Sequence, residues 1–214
     1  MGTLAKLALG MMGQLRPRPA RGDAISSVSL PKPEKQGGMP LMDALAKRQS
    51  AREFESRELP AELLSSLLWA AFGVNRPDGH RTAPTAINSQ EIDVFVALPQ
   101  GAYLYDASAH SLQLIAGCDL RRITGYQDFV DEAPLDLVFV ADYRRMAMVP
   151  AGQRESYASV AAGAISQNVY LFCASEGLAT VVRGMVDRAA LAAALNLRPD
   201  QRVVLSQTVG KPAR

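Results

Sequence analysis

The chain has 214 residues, 48% hydrophobic and 21% charged, with 23 Lys and Arg against 21 Asp and Glu. That length suits one substantial core, and the apolar share is ordinary for a soluble globular domain. A net charge of +2 is too small to argue for a nucleic acid or a membrane surface as partner. The two cysteines, Cys118 and Cys173, lie far apart and outside any CxxC, and suggest neither a disulfide framework nor a zinc site. Cys173, inside the run Val169 to Ala174, reads as a small buried hydrophobe.

No run approaches the ~18 apolar residues that span a bilayer. Leu4 to Met12 is a short apolar stretch broken by Lys6 and followed by Arg16, Arg18 and Arg21. A signal peptide places its charges first and ends in small residues. The stretch is therefore read as a weak helix or arm of a cytoplasmic protein, with export to the periplasm as the alternative. Arg16 to Arg21 has no interleaved aromatics and reads as a solvated linker. Residues 14 to 39, rich in Pro, Gly, Ser and Lys, carry no sustained period. The expected division is an arm over 1–39 and one domain over 40–214, with ordered structure beginning at Pro40.

Leu41, Met42 and Leu45 then give a short helix its apolar face. A second helix opens near Pro60, carries Leu63, Leu64, Leu67, Leu68 and Ala71, and stops at Gly73. From Ile92 the period becomes two, predicting strands over 92–96, 103–105, 112–115 and 135–141. Ser156 to Ser175 predicts a long helix full of small residues, capped by Gly177. A strand over 178–182, a helix N-capped by Asp187 and a strand over 203–209 complete the chain. Helices and strands mix without regular βαβ alternation, so the fold class is α+β. His80 and His110, in turn-like stretches, read as exposed, and Trp69 as core.

The stretch from Lys47 to Phe54 carries the chemistry. Arg48, Ser50 and Arg52 are spaced by two, and in an extended segment such residues point to one face. Two guanidinium groups and a hydroxyl suit a phosphate. On spacing alone a solvated helix end accounts for them equally well, and the ligand stays open.

Arg-x-Ser-x-Arg-x-Phe after a short helix resembles the FMN signature of the nitroreductase-like flavoproteins. Further stretches match in order: Leu68 to Gly73, Ala83-Pro84-Thr85-Ala86-Ile87-Asn88-Ser89-Gln90, Ala162 to Asn168 running to Gly177-Leu178, and Val209-Gly210-Lys211-Pro212. The resemblance runs from about residue 40 to the end. It implies an FMN-dependent oxidoreductase of nitroreductase-like fold, a homodimer with FMN at the interface, which uses NADH or NADPH to reduce a small nitroaromatic or quinone-like acceptor. By the same resemblance Arg48 and Ser50 hold the FMN phosphate, and Arg52 reaches the ribityl chain or the N1/O2 edge. Asn88 bonds the pyrimidine side with Gln90 nearby, and Val182, Arg183 and Gly184 present their backbone to N5. Lys211 or Arg214 completes the phosphate site. No protein nucleophile is needed, because the flavin supplies the reactive atom. The thiazoline-oxidase-like branch is most similar, which leaves azoline dehydrogenation of peptides and non-turnover FMN binding as alternatives. Where azoline-oxidising members carry a Lys-Tyr pair, this chain reads Glu155-Ser156-Tyr157, leaving Tyr157 as a possible substrate contact.

Overall fold

Strand β7 (Leu135–Asp142) is buried along its whole length, and its alternation assigns each residue to one of two cores. Leu135, Leu137, Phe139 and Ala141 enter the core beneath the long helix, while Val138 and Val140 enter the opposite one. A strand apolar on both faces belongs at the centre of a covered sheet. The computed structural model, which describes residues 1–213, places it there.

The other elements are α1 (Thr3–Met11), β1 (Arg18–Pro19), β2 (Ser27–Ser29), α2 (Leu41–Lys47), α3 (Ala61–Phe72), β3 (Ile92–Leu98), β4 (Gly101–Asp106), β5 (Ser111–Ala116), β6 (Cys118–Asp119), α4 (Ala151–Glu176), β8 (Ala179–Arg183), α5 (Arg188–Ala194) and β9 (Gln201–Gly210). Seven strands form one sheet in the order β2-β5-β4-β3-β7-β9-β8, and β1 pairs with β6 apart from it. Every pairing is antiparallel. The class is α+β, as the sequence pattern predicts. No helix among the described residues is long and apolar enough to cross a membrane.

Helix α4 seats Ala158, Ala161, Ala162, Ile165, Val169 and Cys173 on the sheet beside Leu67, Leu68 and Ala71 of α3. Full burial of an Ile or Leu contributes ~1.5–3 kcal/mol, so this face holds the helix in place. Gly177 ends it at φ 66°, a left-handed position that costs glycine nothing. Asp187 caps α5 by accepting from the N–H of Ala190, at 2.9 Å.

Two expectations need correction. Regular structure begins well before Pro40: α1, β1 and β2 all lie within residues 1–39, and β2 adds to the main sheet beside β5. Helix α1 is inverted, with Lys6 fully buried while Leu4 and Met11 are 82% and 81% exposed. The cause is an ion cluster. Asp131 takes Lys6 Nζ and Arg18 Nη2 at 2.7 Å each, with Arg122 at 3.5 Å. Lys6 also donates to the carbonyl of Gln127 at 3.0 Å.

His110 is the second correction. At φ 50° it sits half-buried between two hydroxyls, with Nε2 2.7 Å from Ser65 and Nδ1 2.9 Å from Tyr105. Ser65 donates to the carbonyl of Pro31 at 2.5 Å. It must therefore accept from Nε2–H, which leaves Nδ1 to accept from Tyr105. The ring thus ties α3, β4 and the arm together. Burial, and to a lesser extent the charge of Lys35, hold His110 below its ordinary value of 6.5.

The unfolded chain therefore takes up this proton at higher pH than the folded one. The stability it contributes is present above the ordinary value and lost as pH falls below it. Melting temperature should drop between roughly pH 7.5 and pH 5.5, and the slope should flatten in His110→Asn, whose asparagine tolerates the left-handed backbone. An unchanged slope would mean that other groups dominate.

A second network lies in the core. Arg183, buried at 6% exposure, donates to Asp136 Oδ1 at 2.6 Å, Thr208 Oγ1 at 2.7 Å and the carbonyl of Thr124 at 2.6 Å. Burial lowers the guanidinium pKa and raises that of the Asp136 carboxyl, each opposed by the other's charge. Removing one partner strands a buried charge. Asp136→Ala should cost about 3–5 kcal/mol in urea unfolding, whereas the exposed Asp128→Ala should change little.

Candidate functional site

Strand β8 pairs with β9 on one side only, so its other edge offers unpaired backbone groups. The segment after α2 covers that edge. Arg48 leaves the helical region at φ −57°, ψ 119°, and the chain extends so that Ala51 N–H reaches the carbonyl of Thr180 at 3.0 Å. Further on, Glu55 N–H donates to the carbonyl of Lys211 at 2.9 Å and Ala213 N–H to that of Glu53 at 3.2 Å. Phe54 bridges to Pro212 and packs on Phe129 with ring centroids 5.5 Å apart.

Arg48 and Ser50 come together on Tyr170 of α4. The Arg48 guanidinium lies 5.2 Å from the centre of the tyrosine ring, an attraction of about 0.5–1 kcal/mol at a partly exposed position. Ser50 Oγ is 2.7 Å from the Tyr170 hydroxyl, which also accepts from Val182 N–H at 3.0 Å. Beside them opens a cleft of about 460 Å³, walled by Lys47, Arg48, Tyr170, Gly177, Thr180 and Pro212 among others. Among the described residues, no ion pair engages Lys47, Arg48 or Arg52. Two uncompensated cations walling the cleft, with the Ser50 hydroxyl beside it on Tyr170, are a donor set for an anion.

The other expected residues divide. Arg52 is exposed and does not wall the cleft. Asn88 and Gln90 lie on a separate loop, where Ile87, Asn88 and Gln90 have φ of 48°, 55° and 48°. Left-handed backbone is costly for a β-branched residue such as Ile87, and the surroundings hold it. Gln90 N–H donates to Thr85 Oγ1 at 3.0 Å, its side chain accepts from Arg81 Nε at 2.8 Å, and its carbonyl accepts from Arg145 at 2.7 Å. Thr85 supplies the hydroxyl that closes this loop.

Of Val182, Arg183 and Gly184, expected to present their backbone to N5, the first two have one group each engaged within the protomer. The Val182 N–H is engaged by Tyr170, and the Arg183 side chain belongs to the Asp136 network. Gly184, exposed just beyond β8, is the member of the three left open. The Lys211 side chain is half-buried, and its carbonyl is engaged with Glu55. Arg214 lies outside the described residues. Tyr157 is 43% exposed on α4. Trp69, half-buried, donates from Nε1 to the carbonyl of Val74 at 2.9 Å.

Tyr170, Arg81 and Arg145 are the participants that sequence reasoning missed. Tyr170 lies in the run Val-Tyr-Leu-Phe, whose pattern signals only burial. Its partner Ser50 is 120 residues away.

The nitroreductase family model matches residues 45–211. A Methanocaldococcus jannaschii protein with a provisional nitroreductase name is 34% identical over 154 residues, covering 67% of this chain and 78% of its own. A crystal structure from Ralstonia eutropha, also described provisionally as a nitroreductase, is 51% identical with a TM-score of 0.90, over 94% of this chain and 96% of that one. A Desulfovibrio desulfuricans family structure solved in complex with FMN shares the fold at 22% identity and a TM-score of 0.60, over 83% and 89% of the two chains. A chain of the Escherichia coli microcin synthetase McbBCD complex shares it at 16% identity and a TM-score of 0.68, over 99% and 93%. With the family model spanning the edge-covering segment, the sheet and α4 alike, the chain belongs to the nitroreductase family, and with it to the flavin-dependent oxidoreductases.

Proposed function

We propose that the chain binds FMN with its phosphate in the Arg48–Ser50 cleft and uses NADH or NADPH to reduce small nitroaromatic or quinone-like acceptors. The observation that carries the cofactor assignment is that unpaired Lys47 and Arg48 wall one cleft together with Tyr170, whose hydroxyl meets the Ser50 hydroxyl at 2.7 Å beside it. That donor set fits a phosphate monoester. Family membership supports the reductant and the acceptor class. When bound, FMN supplies the ring nitrogen that receives and passes on hydride.

The residues of this chain do the rest. Arg48 and Ser50 anchor the phosphate. Arg52, exposed and unpaired, is the cation available for the ribityl chain or the N1/O2 edge, where positive charge stabilises a reduced, anionic ring. The Asn88 amide offers a donor and an acceptor to a pyrimidine edge, held at a fixed place by the Arg81 and Arg145 clamps on its loop. Gly184 leaves one wall without a side chain. Lys211 or Arg214 is the C-terminal cation for the phosphate.

Asn88 and Gln90 do not wall the Arg48 cleft within one protomer. That separation supports a homodimer in which a second copy brings the ring-binding loop to the cleft. Uncovered apolar groups support it too: Leu41 is 63% exposed, Met42 74%, Ile87 69% and Val160 68%. Residues 1–39 then act as an arm bound to the 40–214 domain. The free cysteines Cys118 and Cys173 suit a reducing compartment, the cytoplasm. Azoline dehydrogenation is disfavoured by Glu155 and Ser156 preceding Tyr157, since no proton-transfer lysine precedes the tyrosine.

Purified protein should be yellow and bleach anaerobically with NADH or NADPH. A yellow protein that neither nicotinamide bleaches would be a non-turnover FMN binder, and a colourless one that FMN does not reconstitute would end the proposal. Arg48→Ala should weaken FMN about 10- to 100-fold, the loss of one charge-assisted phosphate bond. Val160→Glu should shift the protein to monomer in size-exclusion chromatography and release flavin in parallel; a flavin-loaded monomer would remove the dimeric site.

A further inference from the structure

We propose that Tyr170 is a positioning residue that turns the Ser50 proton outward, toward the phosphate of the bound flavin. The inference rests on the phosphate assignment above and adds a residue that no motif marks. Tyr170 is 7% exposed, on the buried side of α4, yet its hydroxyl has two polar partners and both are on the site. The Val182 N–H, on the edge of β8 away from β9, donates to it at 3.0 Å. Ser50 Oγ stands 2.7 Å on the other side.

The direction of the second bond follows from counting protons. A phenol carries one O–H and accepts well from one donor. Val182 can only donate, so it takes the acceptor role of the phenol oxygen. If Ser50 donated as well, the phenol proton would be left without a partner and two donors would crowd one oxygen. The chain that satisfies every group runs from Val182 N–H to Tyr170, from Tyr170 O–H to Ser50 Oγ, and from Ser50 O–H outward. Ser50 is exposed, so its proton is free to turn to the open surface beside the cleft that Tyr170 walls. Bonds aligned in this way polarise one another and strengthen the terminal donor. The face of the same ring carries Arg48. One side chain thereby sets both phosphate ligands, the guanidinium through its face and the hydroxyl through its edge.

Tyr170→Phe separates the two roles, because it keeps the ring under Arg48 and removes only the hydroxyl. The measurement is the affinity of flavin-free protein for FMN and for riboflavin, which lacks the phosphate, in wild type, Tyr170→Phe, Ser50→Ala and the double variant. The expected result is an FMN affinity lower by roughly 5- to 10-fold in Tyr170→Phe, an unchanged riboflavin affinity, and no further FMN loss when Ser50→Ala is added. Equal weakening of both flavins would mean a structural role only and overturns the inference, as would losses that multiply in the double variant. An undiminished preference for FMN in Tyr170→Phe also overturns it, while leaving the phosphate assignment intact. A wild-type protein that binds riboflavin as tightly as FMN overturns the phosphate assignment and the inference together.

Discussion

The free edge of β8 is the constraint on which the site depends. An edge strand leaves every second N–H and C=O facing outward, and buried backbone groups without partners are expensive. Here the carbonyl of Thr180 is closed by Ala51 and the N–H of Val182 by the Tyr170 hydroxyl. The same two closures lay residues 48–54 along the strand and bring Arg48 and Ser50 onto one tyrosine. A requirement of sheet construction thereby becomes the means of placing the pair proposed to hold the phosphate. Phe54 secures the far end, wedged between Pro212 and Phe129. Phe129 in turn lies 5.9 Å from the Arg183 guanidinium, so the core ion pair sits directly under the segment that carries the ligands.

Arg183 shows how a residue adjacent to a site can serve it from the inside. Its backbone belongs to the last position of β8, beside Gly184, while its side chain runs into the core to Asp136, Thr124 and Thr208. Gly125 has no room for a side chain because a Cβ there would collide with that guanidinium. A buried arginine with three acceptors has little freedom, and the loop it begins inherits that rigidity. The Asp131 cluster does the same for the arm. Three cations converge on one carboxylate, and seating Lys6 there leaves Leu4 and Met11 facing outward.

How much was legible follows from which forces leave a local trace. Strand β5 alternates because its two faces differ, while β3 and β7 are marked by largely apolar runs because both of their faces are covered. Pro60, Gly177 and Asp187 mark helix ends because caps are chemical requirements of the helix itself. Strands β1 and β2, with two and three residues, have no such pattern; they exist because a partner strand is present. The inversion of α1 could not be read either, since Asp131 lies 125 residues from Lys6. His110 sits in a stretch that reads as a solvated turn, yet its two partners come from α3 and β4. At the site, Arg48 and Ser50 were legible through an ordered set of motifs. Tyr170 was not, because a tyrosine among Val, Leu and Phe advertises its ring and hides its hydroxyl.

The loop over 87–90 carries the argument one step further. Three of its residues hold left-handed backbone, each at a cost of order 1–3 kcal/mol unless the surroundings impose it. The surroundings do impose it: Thr85, Arg81 and Arg145 each contribute a bond to Gln90 alone. The turn over Ile87 is closed within the protomer by Asn88 N–H to the Thr85 carbonyl at 3.2 Å and Ser89 N–H to the Ala86 carbonyl at 2.9 Å, yet the Ile87 side chain is 69% exposed and packs into neither core. A loop so held, offering an apolar side chain and an amide to open space, is shaped for something outside the protomer. In the proposed dimer that something is the partner's cleft, where Asn88 meets the ring of the cofactor and Ile87 meets the uncovered faces of α2 and α4. In that proposed dimer, cofactor retention and dimerisation become one equilibrium viewed from two sides.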